Sequence, residues 1–154
     1  MGSAEVTTDA AVLDVAAVRA ALVDEGLDGW LLYDFHGSNP IATRLTGVDR
    51  GAHLTTRRWY YLIPRDGEPR ALVHAIESRV LAHLPGSAEK YAARHELEAG
   101  LQRLLTGVRR VAMEFSPHCA IPILSASLTM ASLITSLTSR WNSWNRRKTS
   151  RLTR

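Results

Sequence analysis

With 154 residues, 45% of them apolar and 22% charged, the chain is long enough for one domain with a real core, and its composition excludes disorder throughout. The formal net charge of +4 is unevenly held: residues 1–124 carry −2 and residues 125–154 carry +6. The body is therefore mildly acidic, and a nucleic-acid reading based on whole-chain basicity loses its support.

Thr8 and Asp9 are suited to cap a helix whose apolar positions Val12, Leu13, Ala16, Ala17, Ala20 and Val23 follow a 3.6-residue period, with Gly26 placed to end it. GWLLYDF, Gly29 to Phe35, is a short apolar run of the kind that forms a buried strand. SNPIATRLTG offers Asn39 as N-cap, Pro40 at the first helical position and Gly47 as C-cap, which specifies a helix of about two turns. RRWYYLIP and PRALVHAIE are β-rich runs separated by Arg65-Asp66-Gly67-Glu68, where Asp-Gly supplies the positive φ of a tight hairpin. A short helix is expected over Glu77 to Leu84, before LPGS interrupts it. HELEAGLQRLLTG reads as a helix with Leu97, Leu101, Leu104 and Leu105 on one face and Gly107 at its end. RRVAMEF gives another strand, and CAIPIL a further one. Helices alternating with strands around one inserted hairpin predict an α/β domain with a mixed β-sheet flanked by helices.

Catalytic signatures are mostly absent from the sequence. HELEA begins like a zinc-protease helix, but the position four residues after His95 is Ala99, so two imidazoles cannot share a face. His118 and Cys119 are adjacent and would point to opposite sides of an extended chain, and a reactive thiol needs a base in reach. With Cys119 the only cysteine, an internal disulfide framework and a multi-cysteine zinc site are both excluded. His74 lies in an apolar strand, where a hydrogen-bonded structural role is expected over a metal-ligating one. The N-terminal MGSAEVTTDAAVLD has no basic segment followed by an apolar core, and a cytoplasmic location is expected.

GLDGWLLYDFHGSNPIATRLTG, TTRRWYYLIPRDGEPRALVHAIE and VRRVAMEFSPHCAIPILS together resemble the N-terminal domain of the creatinase, prolidase and aminopeptidase P metallopeptidases. The likeness runs over roughly residues 10 to 124 and implies a ribonuclease H-like fold. It also implies an accessory role. In such proteins a C-terminal domain holds two divalent metal ions on Asp, Asp, His, Glu and Glu, and the N-terminal domain helps form a homodimer and lends loop residues to the active-site mouth. By that resemblance Asp34, His36, Asn39 and Arg44 are the candidate substrate-contact residues, no catalytic residue or metal ligand is expected in this chain, and the peptide substrate belongs to a full-length relative. Asn39 has a competing structural role as the cap before Pro40.

The organisation expected is an N-terminal extension over residues 1–9, the domain over 10–124, and a basic tail over 125–154. The tail has no Asp, Glu, Gly, Pro or Val and looks unlike the helix and closing strand that the resemblance calls for, so an out-of-frame or truncated continuation is expected. Two rival readings make it a working segment in a non-enzymatic binding module. Residues 119–139 are uncharged and precede Arg146-Arg147-Lys148, as a membrane span would require, but they contain eight Ser/Thr and Pro122, and no membrane association is expected. Trp141 and Trp144 among the cations could stack on bases, although no specific nucleic acid is expected. Met130, Ile134, Leu137, Trp141 and Trp144 are spaced 4, 3, 4, 3, so a helix would line them on one face.

Overall fold

A computed structural model describes residues 13–48, 55–115 and 124–129. The elements are α1 (Val15–Asp24), β1 (Gly29–Asp34), α2 (Pro40–Thr46), β2 (Trp59–Pro64), β3 (Arg70–His74), β4 (Ser87–Tyr91), α3 (Arg94–Leu104), β5 (Arg110–Phe115) and β6 (Leu124–Thr129), with a 3₁₀ turn at Ala75–Glu77. The six strands form one sheet in the order β4-β3-β2-β1-β5-β6. β1 runs antiparallel to β2 and parallel to β5, β3 is antiparallel to β2 and parallel to β4, and β6 returns antiparallel to β5. The mixed-sheet α/β expectation holds. Among the described residues no helix is long and apolar enough to cross a membrane.

Alternation along the strands builds two cores. Leu31, Leu62, Leu72, Val111 and Met113 face α3, where they meet Leu97, Leu101, Leu104 and Leu105. Leu32, Trp59, Tyr61, Ile63 and Val73 face the opposite side, with Leu13 and Ala42 from the α1 and α2 segments. Every residue of β2 is buried, which is why its sequence is a continuous apolar run. Leu31, Leu32, Leu62, Ile63 and Leu72 are fully enclosed, and each contributes roughly 1.5–3 kcal/mol by leaving water. Gly100 lets α3 approach this layer, since a Cβ there would lie 2.8 Å from Leu72 Cδ1.

Local signals explain most element ends. Asn39 accepts from the Ala42 amide at 3.1 Å, Pro40 opens α2, and Gly47 closes it at φ 71. α1 begins later than the sequence suggests: Asp14 caps it by accepting from Ala17 N, and Thr8 and Asp9 lie outside the described residues. At its other end Gly26 has φ 62, with Gly26 N donating to Val23 O and Leu27 N to Leu22 O, the paired bonds of a Schellman stop. Glu96 reaches back to the Ala92 and Ala93 amides at the start of α3, and Ala93 itself has no side chain able to complete a capping box.

Three expectations are corrected. Residues 77–84 form no α-helix; their amides bond three residues back, as in Val80 N to Glu77 O and Leu84 N to Leu81 O, because the Glu77 carboxylate is occupied by Thr56 and Arg57. Ser87–Tyr91 is a strand that its mostly exposed sequence does not announce. The last strand is Leu124–Thr129 rather than CAIPIL, so it crosses the position where the composition changes, and Cys119 lies outside the described residues.

Asp28 joins the turn after α1 to the start of β5, its Oδ2 accepting from Arg109 N at 3.0 Å and Arg110 N at 2.9 Å. The Arg110 and Arg109 amides hold its carboxyl below the ordinary Asp value of 3.8. A lowered folded-state value means stability present above the unfolded value and lost as pH falls through the folded one. Asp28→Asn is therefore expected to flatten the acid limb of stability below pH 4, measured as urea midpoint against pH, while leaving two amides less strongly bonded at neutrality.

Candidate functional site

The four candidate residues occupy the corner between β1 and α2, and they do different things there. Asp34 ends β1 fully buried; its Oδ2 accepts from Gly37 N at 2.9 Å and its Oδ1 from Asn39 N at 2.8 Å, with the Thr55 hydroxyl at 3.4 Å. These bonds fold the backbone back on itself, as Asx turns do. His36, at φ 59, and Gly37, at φ 67, make the bend between them. Asn39 is 7% exposed and fully engaged: besides capping α2, its amide donates to Tyr33 O at 2.8 Å and to Glu114 Oε2 at 3.4 Å. Glu114 Oε1 accepts from Trp30 Nε1 at 3.0 Å. Burial pushes the Glu114 carboxyl above its usual range, against the opposing bonds from Asn39 and Trp30. Asp34 and Asn39 thus face inward and hold the corner's shape. His36 and Arg44 are exposed, His36 on the bend and Arg44 in the last turn of α2.

His36 also lines a cleft of about 450 Å³ that the sequence did not foretell. It opens where β1, β3 and β4 end and where β2 and α3 begin, and its walls include Phe35, Arg57, Arg58, His74, Tyr91 and Arg94. Carboxyl ends of strands are where sheets of this kind leave room for ligands. The Arg58 guanidinium lies 4.0 Å from the Phe35 ring centroid, and the His36 ring meets Phe35 edge-on at 4.3 Å. Across the cleft the His74 and Tyr91 rings meet edge-on at 5.1 Å. His74 Nδ1 accepts from Ile76 N at 3.2 Å, the structural use expected of it.

The electrostatics suit binding rather than proton abstraction. Tyr91 donates to Arg58 O at 2.8 Å, and burial pushes its phenol up to about 12, so it remains a neutral donor at physiological pH. Glu77 stands nearby; burial alone would raise its carboxyl, but bonds from Thr56 and Arg57 outweigh that and hold it below its ordinary value. Glu98 pairs with Arg94 at 2.9 Å. Three arginines beside two aromatic rings offer planar, charged donors matched to a carboxylate and flat surfaces for an apolar group. Among the described residues no group of three or more His, Cys, Asp and Glu converges as a metal site.

Sequence reading missed Tyr91 and Arg94 as cleft residues because β4 was not foreseen. Once Arg70↔Ser87 through His74↔Tyr91 pair, Tyr91 is carried to the end of β3 beside His74. The antiparallel match of Asp34 with Trp59 brings Arg57 and Arg58 to the same edge.

No protein-family model matches the chain, and no curated protein sequence does. Among solved structures, the creatinase/prolidase N-terminal domain of an X-Pro dipeptidase from Streptococcus pyogenes is similar at a TM-score of 0.51 and 17% identity, over 66% of this chain and 75% of that one. A proline dipeptidase from Streptococcus pneumoniae gives 0.48 and 21%, over 66% and 73%. The prolidase from Pyrococcus horikoshii gives 0.44 and 16%, over 70% of this chain and 26% of that one. At such identities the likeness is one of architecture, and the first comparison carries it: the chain has the fold of a creatinase/prolidase N-terminal domain.

Proposed function

We propose that this chain is an accessory domain of the Xaa-Pro peptidase type, used for substrate access and dimer formation and not for bond cleavage. The observation that supports this most is the position and lining of the cleft. It lies at the strand ends, carries His36 from the β1–α2 corner, and combines arginines with aromatic rings in a domain of the same fold as an X-Pro dipeptidase's N-terminal part. A dipeptide ending in proline presents one carboxylate and one flat apolar ring, which Arg57 and Phe35 complement in kind. Any two-metal hydrolysis would need convergent carboxylates and imidazoles supplied by another domain.

The purified chain, given Mn²⁺, Co²⁺ or Zn²⁺, is expected to release no proline from Xaa-Pro dipeptides and not to hydrolyse creatine. The same dipeptides are expected to shift the backbone NMR signals of His36, Arg57 and Tyr91, and Arg57→Ala to weaken that response severalfold. Metal-dependent turnover abolished by substitutions in this chain would overturn the accessory reading. Titration without any shift at the cleft would remove the substrate-contact part of it.

A further inference from the structure

The face of the sheet that carries α1 is incompletely covered. Between α1 and β5 lies an apolar groove of about 400 Å³, walled by Ala17, Ala21, Leu22, Leu27, Trp30 and Ala112. Ala17 and Ala21 on one side and the half-buried Ala112 on the other are too small to close it. β6 leads the chain to this groove. Its last residue, Thr129, pairs with Arg110, whose amide is held by Asp28 and whose guanidinium donates to Gly26 O at 3.2 Å, just past the end of α1. The chain therefore leaves the sheet beside the C-terminal end of α1, with 25 residues still to run.

We propose that Met130 to Trp144 covers this groove as a helix antiparallel to α1. The stripe Met130, Ile134, Leu137, Trp141 and Trp144 supplies one apolar face. Fifteen helical residues span about 22 Å, which matches the roughly 20 Å length of a six-residue strand. Thr129 is a favoured N-cap type immediately before the stripe. No charge occurs from Met130 to Ser139, as fits a groove whose lining holds Glu25 as its one charged residue. A second copy of the chain could offer the same stripe, but the tethered segment starts at the groove's mouth and meets it at a far higher effective concentration. The basic tail is then a layer of the fold, whatever the origin of its sequence.

Cross-linking in the full chain tests this. In a Cys119→Ser background, Ala21→Cys is combined in turn with Ile134→Cys, Leu137→Cys, Ser132→Cys and Ser139→Cys, and oxidised at low protein concentration. Ile134 and Leu137 are expected to give an intrachain disulfide at least tenfold faster than Ser132 and Ser139, which fall on the opposite face of such a helix. Equal rates at all four positions, or a product that is only the cross-linked dimer, would overturn the proposal. A measurement independent of cysteine uses Ile134→Asp against Ser132→Asp: the first is expected to lower the urea midpoint and the second to leave it unchanged, and a midpoint unmoved by Ile134→Asp sinks the idea as well.

Discussion

Gly86→Ala is expected to destabilise the fold by about 3–5 kcal/mol, from overpacking together with a left-handed backbone. Gly86 sits at φ +107, and a Cβ added there would lie 2.1 Å from Pro69 O and 2.7 Å from Pro69 C. Backbone on both sides leaves no side chain to swing away. Relief would require shifting the Pro69 carbonyl, which accepts from Ser87 N at 3.1 Å and so helps set the first rung between β3 and β4. Because Tyr91 ends that strand, a disturbance at Gly86 is expected to reach the cleft. Gly67→Ala is the control: φ is +93 but nothing lies within 4 Å, so about 1–2 kcal/mol of backbone strain is expected. Urea denaturation of the two variants separates steric overlap from φ strain.

Asn39→Ala is expected to cost about 2–4 kcal/mol, the sum of a lost helix cap and of buried partners left without a donor. The deleted group serves Ala42 N, Tyr33 O and Glu114 Oε2. Asn39→Asp isolates the electrostatic part. It keeps the cap acceptor but sets a second carboxylate against Glu114, where the amide nitrogen now stands 3.4 Å from Oε2. Two facing carboxylates raise each other's folded-state values, beyond what burial already does to Glu114. A raised value gives stability that is complete below the unfolded value and lost as pH rises through the folded one. The Asp variant is therefore expected to approach wild-type stability near pH 4 and to fall away toward pH 7. Parallel urea series at the two pH values check the sign.

What the sequence disclosed was what short segments encode by themselves. Asn39, Pro40 and Gly47 determine α2 within nine residues, and Asp66-Gly67 turns β2 into β3, with Tyr61 opposite Ala71 as a tight hairpin requires. β4 was illegible because Ser87, Ala88, Glu89 and Lys90 have little strand preference and no apolar alternation; pairing with β3 makes them a strand. The cleft was illegible for the same reason, since Arg57, His74 and Tyr91 meet only through strand pairing. Asp34 and Asn39 were visible as a polar pair beside a loop, but their burial could not be read before Glu114 and Trp30 were brought against them.

The central position of β1 has a kinetic consequence. One edge of β1 pairs with β2 from Asp34↔Trp59 outward, a closure that a nascent chain can make early, whereas its other edge waits for Val111, Ala112 and Met113. Until β5 has left the ribosome, the Gly29–Asp34 strand presents an open hydrogen-bonding edge with Leu31 and Leu32 on its two faces. Long-range parallel pairing of this kind is slow, because the loop must close before any contact rewards it. The half-made sheet is accordingly the species most exposed to misassociation during synthesis, and holdase chaperones that bind extended apolar segments should recognise GWLLYD before any other strand.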